Sequence, residues 1–482
     1  MSQLKKNVFY NALLTTSSLI LPFITFPYVT RILAPDGIGQ INFANSFIQY
    51  FVIISSLGIP YYGIREIAKV RDNIELRSKI LYELFIIKLI CSLIALIFYL
   101  ILVFSIPKLS ISLPYYIWGL GIIVIGIFDL NYFFSALEDF KYITYRNLFF
   151  QSISVILTFV FIKTKGDALI YFTIPIFISL LNTIVNTKYI SRFISFKVIK
   201  RKIQLRNHLK PLLLLFSIML FTSIYNLLDT TLLGFLAQND HVGYYSVASK
   251  INRIPLTLIM VLVPVMLPRI SMEFKNKNYL EIERLISKTI QFVILIGVPI
   301  MVGLYLTAPE IITLISGPEF SPSITTLRIL SPVALIIGIT TNFSTQLLIP
   351  MGKDRQLLYA VISGTLVSLM LNFILIPFLK HNGAAISNLV AEFVVLISCY
   401  FFVRKFINVV IPYKKILINL IICIPFAAIV FIARHFIFST SLIFLISVIF
   451  SLIYYIIIQL LFKNPIMLEI FEIVKKKIHL TI

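Results

Sequence analysis

The sequence predicts an all-α integral membrane protein of about fourteen transmembrane helices, built as two pseudo-symmetric six-helix lobes followed by two extra C-terminal helices. Three observations carry this expectation. Of the 482 residues, 59% are hydrophobic and 13% charged, where a soluble domain has roughly 45–50% apolar and about 25% charged residues. Fourteen apolar runs approach the length of about 20 residues needed to cross about 30 Å of hydrocarbon. Finally, an offset of 204 residues carries Gly39, Ala44 and Arg65 onto Gly243, Ala248 and Arg269, the mark of a duplicated unit.

The runs lie at 8–30, 39–62, 80–104, 114–137, 143–162, 168–190, 211–235, 242–267, 286–308, 324–349, 357–378, 383–403, 416–433 and 441–462. The first lobe is placed at 1–190 and the second at 211–403, joined by the basic linker 191–210 (SRFISFKVIKRKIQLRNHLK), a solvated segment suited to an anionic membrane face. Residues 404–482 hold the last two spans, weak in polar residues and expected to be peripheral, and a basic tail. An even number of spans per lobe gives both copies one orientation, so the pseudo-symmetry axis is expected along the membrane normal. Pro22 to Gln40 closes the first run with two prolines, Arg31 and a Pro-Asp-Gly turn, and a looser copy follows at 230–250.

The net charge of +22 reports topology rather than nucleic-acid binding. With the N-terminus inside, 32 of the 42 Lys and Arg fall on inner loops and tails. Six fall outside (Arg31, Lys108, Lys163, Lys165, Lys380, Arg434), and Lys88, Lys250, Arg253 and Arg328 fall within spans; Arg146, Lys188 and Lys288, at the inner edges of their runs, are counted with the inner loops. The positive-inside rule then places both termini in the cytoplasm. The inner stretch 65–79 reads as a short amphipathic helix on the membrane face. Cys91, Cys399 and Cys423 all lie in apolar runs, with neither disulfide nor metal-ligand spacing. No P-loop, dinucleotide turn or His/Cys/carboxylate cluster is present, so neither a cofactor nor ATP hydrolysis is expected. Short loops argue against a polymerase or glycosyltransferase.

Polar stripes mark the candidate site. In span two Asn42, Asn45, Ser46 and Gln49 recur at i, i+3, i+4 and i+7, one face of a helix. The 204-residue offset carries them onto Ser246, Ser249, Lys250 and Arg253 in span eight. Polar groups in a span avoid lipid, so matched stripes predict a central cavity between the lobes, neutral on one wall and cationic on the other. Arg31 stands at its outer rim or snorkels outward. Each cation has a carboxylate at similar depth: Asp229 for Lys250 and Glu392 for Arg253. Lys88 and Asp129 are expected to form an ion pair nearer the inner face, where the alternative is a site for a coupling ion. Arg328 is expected to snorkel. Prolines within spans (Pro22, Pro27, Pro175, Pro264, Pro299, Pro332 and Pro425) permit kinks. Tyr61, Tyr62, Tyr115, Tyr116, Tyr244, Tyr245 and Trp118 read as interface anchors.

Asn11, PFITFPYVTRILAPDGIG at 22–39 and LGIPYYGIREIA at 57–68 resemble the start of Wzx-type polysaccharide repeat-unit (O-antigen or capsule) flippases of the multidrug/oligosaccharidyl-lipid/polysaccharide exporter superfamily. LLDTTLLG at 227–234, VGYYSVASKI at 242–251 and MLPRIS at 266–271 extend the likeness to the second half. The resemblance implies two six-helix bundles in a MATE-like V, in the bacterial cytoplasmic membrane. It implies outward movement of an undecaprenyl-diphosphate-linked oligosaccharide without ATP, in the company of membrane lipids and of the polymerase and chain-length proteins of the pathway. Many such flippases have twelve spans; fourteen is the number of the related lipid II flippases. Lys250, Arg253 and Arg31 would then attract the diphosphate or acidic sugars and the stripe amides and hydroxyls would bind sugar hydroxyls. Asp229 could instead take H⁺ or Na⁺ for antiport. A lipid II flippase and a multidrug antiporter are the rival readings, the second disfavoured by the cationic stripe.

Overall fold

The computed structural model describes residues 3–195, 203–260, 263–469 and 471–472, so part of the basic linker and of the tail lies outside the described residues. Among the described residues the chain is helical, without a strand. It divides into two compact units, Met1–Gly243 and Tyr244–Ile482.

The first unit contains α1 (Gln3–Ser56), α2 (Ile59–Lys69), α3 (Ile74–Ser105), α4 (Pro107–Ser110), α5 (Leu113–Ile127), α6 (Asn131–Ala136), α7 (Phe140–Phe161), α8 (Ala168–Ile190) and α9 (Arg206–Leu236). Helix α10 (Asn239–Ile259) crosses the boundary. The second unit continues with α11 (Val263–Lys275), α12 (Tyr279–Leu306), α13 (Ala308–Ser316), α14 (Ser323–Leu330), α15 (Val333–Phe343), α16 (Asp354–Arg404), α17 (Tyr413–Cys423), α18 (Pro425–Phe436) and α19 (Thr440–Leu461).

Eleven helical stretches are long and apolar enough to cross a membrane. Two of them, in α1 and α16, are bent pairs of spans, and the apolar run at 242–267, which carries the cationic stripe, corresponds to α10 and α11. Together these account for about fourteen spans in a multi-pass membrane protein.

The bends are single-residue hinges. Ala34 takes φ 58°, ψ 176°, and Pro35 and Asp36 open the next span. A proline at a first helical position loses no hydrogen bond, and an acidic residue beside a helix N-terminus is stabilised by the dipole. The expected Pro-Asp-Gly turn is therefore the start of a helix, and the turn is Ala34 alone. Lys380, at φ 52°, ψ −129°, splits α16 in the same manner.

The duplication reaches local detail. Under the 204-residue offset α2 (Ile59–Lys69) overlaps α11 (Val263–Lys275). Each is followed by an asparagine-capped span: Asn73 Oδ1 accepts from Leu76 N at 3.0 Å, and Asn278 Oδ1 from Glu281 N at 3.3 Å. Such a cap satisfies one orphan N–H of the first turn and is worth about 1 kcal/mol. The amphipathic helix expected at 65–79 thus starts earlier and ends at Lys69.

Other expectations change on inspection. Pro22, Pro27, Pro175 and Pro299 lie within helices, whereas Pro332 and Pro425 divide their spans into separate helices. Tyr62, Tyr115, Tyr116 and Tyr245 are buried core residues rather than interface anchors; Tyr61 and Trp118 are exposed. The last two spans are not poor in polar contacts. Arg434 holds both oxygens of Glu310 at 2.7 and 2.9 Å, and Tyr455 Oη donates to Leu295 O at 2.8 Å. Gln459 Nε2 donates to Asn419 Oδ1 at 2.7 Å within the same buried network.

Candidate functional site

Asn42, Asn45, Ser46 and Gln49 share one face of the second half of α1, Ser46 buried and the other three half-buried. Two of them are held by their own helix: Asn42 Nδ2 donates to Ile38 O at 2.8 Å, and Ser46 Oγ to Phe43 O at 2.8 Å. The face carries a fifth polar residue that the stripe omitted. Tyr50, one turn beyond Ser46, contacts Thr231 Oγ1 of α9 at 3.4 Å, with the buried Asp229 carboxylate within electrostatic reach of the same phenol. The i+4 spacing from Ser46 was the available signal. Arg31 is exposed, three residues before the Ala34 hinge.

Above this face, toward the end that carries Arg31 and Lys108 (the cation-poor end), α1 and the α9–α10 connection meet without side chains between them. A methyl group on Gly39 would overlap the Asn239 carbonyl and come to 2.9 Å from Gly243 N; one on Gly243 would overlap the Pro35 carbonyl. Both pairs obey the 204-residue offset, so the contact repeats itself across the duplication. Just below, Phe43 fills the space over Gly234 and sets its ring edge-on to Phe235 at 5.1 Å. Lys108 closes the end of α9: its Nζ donates to Phe235 O at 3.2 Å and Ala237 O at 2.6 Å. A cation on the unsatisfied carbonyls of a helix C-terminus is favoured by both hydrogen bonding and the dipole. Lys108 is therefore a structural cap, not the loop charge it was counted as.

In the second unit Ser246 and Ser249 are half-buried on α10, and Lys250 and Arg253 are exposed. Asn252 is buried between them in sequence, with its Oδ1 unpaired among the described residues. Glu392 is buried in the second half of α16.

Nearer the opposite end of the first unit, Lys88 and Asp129 meet as their depths suggest, but through the backbone: Lys88 Nζ donates to Asp129 O at 3.2 Å. The Asp129 carboxylate accepts Asn131 N at 3.0 Å instead. Arg146, assigned to a loop from sequence, is buried. Its guanidinium donates to Asn131 at 2.6 Å, Asn147 at 2.9 Å and Asn186. A second buried cluster joins residues far apart in the sequence. Tyr62 Oη meets His208 Nδ1 at 2.8 Å, His208 Nε2 meets Glu83 Oε2 at 2.9 Å, and Glu83 Oε1 accepts Gln204 N at 2.8 Å. These contacts fasten the start of α9 to α2 and α3.

Fold and site together define a duplicated, all-helical, multi-pass membrane protein with a polar face in each repeat. A family model described as polysaccharide biosynthesis protein matches residues 4–274, and one described as MatE matches 215–374. The first covers more than half of the chain, which therefore belongs to the polysaccharide biosynthesis protein family. A protein of Escherichia coli (strain K12) named for O-antigen transport is 26% identical over 407 residues, spanning 83% of this chain and 97% of its own. Among solved structures, the lipid II flippase MurJ in an inward closed conformation matches with a TM-score of 0.63 at 18% identity, covering 95% of this chain and 100% of that one. An inward-facing multidrug resistance MATE family transporter of the MOP superfamily matches with 0.61 at 15% identity, covering 80% and 93%. Both share the fold.

Proposed function

We propose that this chain is a flippase that moves undecaprenyl-diphosphate-linked oligosaccharide repeat units from the inner to the outer leaflet of the bacterial cytoplasmic membrane by alternating access. Both termini are cytoplasmic in this reading, and the cation-poor end faces outward. The observation that carries it is the pair of matched polar stripes in a chain of this family, one neutral and one bearing Lys250 and Arg253. The name of the E. coli relative, matched over nearly its whole length, supports the substrate class.

The cations have a physical task. The negative charge of a diphosphate headgroup is what hydrocarbon most strongly opposes, and charge-assisted hydrogen bonds from Lys and Arg replace part of its hydration. Asn42, Asn45, Ser46, Gln49, Ser246 and Ser249 would bind sugar hydroxyls while the lipid tail stays in the bilayer. Arg31 would stand at the outward end of the path. Asp229, Glu392, Lys88 and Asp129 are assigned to charge pairing or to H⁺ or Na⁺ coupling. Collapsing each ion gradient in turn tests the coupling assignment: an unchanged transport rate removes it. Rescue of surface polysaccharide in a strain lacking its own repeat-unit flippase tests the substrate class, and rescue of peptidoglycan synthesis instead would replace it with lipid II.

A further inference from the structure

The second unit carries a groove of about 470 Å³ that the transport reading leaves unused. Its lining is almost wholly apolar, with Met301 and Val302 of α12, Ile329 and Pro332 beside α14, and Ile386 and Leu389 of α16. Counting from the Lys380 hinge at about 1.5 Å per residue, Ile386 and Leu389 lie about 9 and 13 Å toward the membrane interior. Arg328 stands at the groove, its guanidinium 5.6 Å from the centre of the exposed Tyr305 ring and its Nε on Tyr305 O at 3.3 Å.

The next carbonyl, Leu306 O, accepts from Arg434 Nη2 at 2.8 Å. Two arginines thus cap consecutive carbonyls of α12. Arg434 is neutralised by both oxygens of Glu310, whereas Arg328 has no carboxylate at ion-pair distance among the described residues. Its remaining N–H groups form a fork suited to a tetrahedral phosphate, and Tyr305 marks the level where aromatic side chains meet the headgroups.

We propose that the groove is a lipid site: it takes one acyl chain of an anionic glycerophospholipid, whose phosphodiester sits on Arg328. A single unneutralised arginine matches a monoanionic phosphodiester better than a diphosphate, so the bulk lipid rather than the carrier of the transported glycan is the occupant. The site is independent of the polar stripes.

The full chain, purified in detergent and exchanged against equimolar phosphatidylglycerol and phosphatidylcholine, is weighed by native mass spectrometry. One phosphatidylglycerol is expected to stay bound to the wild type. Arg328→Gln should lower that occupancy about tenfold, and Leu389→Trp, which fills the groove and leaves the arginine, should lower it as well. Arg328→Lys, keeping charge without the fork, should fall between. Should Arg328→Gln fail to fold, Leu389→Trp alone decides. Occupancy equal to wild type in the folded variants, equal retention of phosphatidylcholine, or retention of added polyprenyl phosphate in place of phosphatidylglycerol would each overturn the proposal.

Discussion

Gly39 and Gly243 pack backbone to backbone, each against the carbonyl of the residue four positions before the other, Asn239 and Pro35. The contact has no side chain to rearrange, so adding one methyl group forces the two segments apart. Overpacking of this kind costs about 1–3 kcal/mol, a shift of roughly 5- to 150-fold in the ratio of parted to closed chains. Gly39→Ala and Gly243→Ala should each raise the labelling rate of a cysteine placed at Asn239 by a membrane-impermeant thiol reagent. The background should lack Cys91, Cys399 and Cys423. Transport should fall in both variants, and unchanged labelling would show that the glycines are mere fillers.

Lys108 supplies a second prediction. Its two bonds to Phe235 O and Ala237 O hold the end of α9, and hydrogen bonds involving a charged group are worth about 1.5–3 kcal/mol. Lys108→Met keeps the length of the side chain and removes the donors. Amide hydrogen exchange in the last turn of α9 is expected to accelerate about tenfold or more, while exchange in α3 stays as it was. Equal exchange in the two proteins would return Lys108 to the status of a loop charge.

The Tyr62, His208 and Glu83 chain should behave as one unit. Tyr62→Phe and Glu83→Gln each remove a contact to the same imidazole. Their effects on thermal stability are expected to be non-additive, with a coupling of about 0.5–3 kcal/mol, as found for residues sharing a partner. Additive losses in a double-mutant cycle would mean that the imidazole does not link α2 to α3.

Much of the architecture was legible because it is written in short-range regularities. Span count followed from apolar run length, and the duplication from a constant 204-residue offset; the asparagine caps at Asn73 and Asn278 keep it to within one residue, at 205. The stripe Asn42, Asn45, Ser46, Gln49 needed only the helical period. What escaped depends on tertiary context. An alanine at positive φ with extended ψ has no sequence signature, since such a sparsely populated conformation costs about 1–3 kcal/mol and is imposed by its surroundings; hence the turn at Ala34 was placed on Pro-Asp-Gly. Arg146 and Lys108 sit near span ends, where sequence counts them as solvated, yet one is buried among asparagines and the other caps a distant helix. Glu83 and His208 lie 125 residues apart, and no local pattern connects them.

The most direct test of the central claim is surface polysaccharide made by a strain whose own repeat-unit flippase is deleted and replaced by this chain carrying Arg253→Ala or Arg253→Lys, scored at equal membrane protein level. The account predicts that Arg253→Ala loses most of the polysaccharide and that Arg253→Lys, which keeps the charge, restores a substantial part. Wild-type polysaccharide from Arg253→Ala would contradict it.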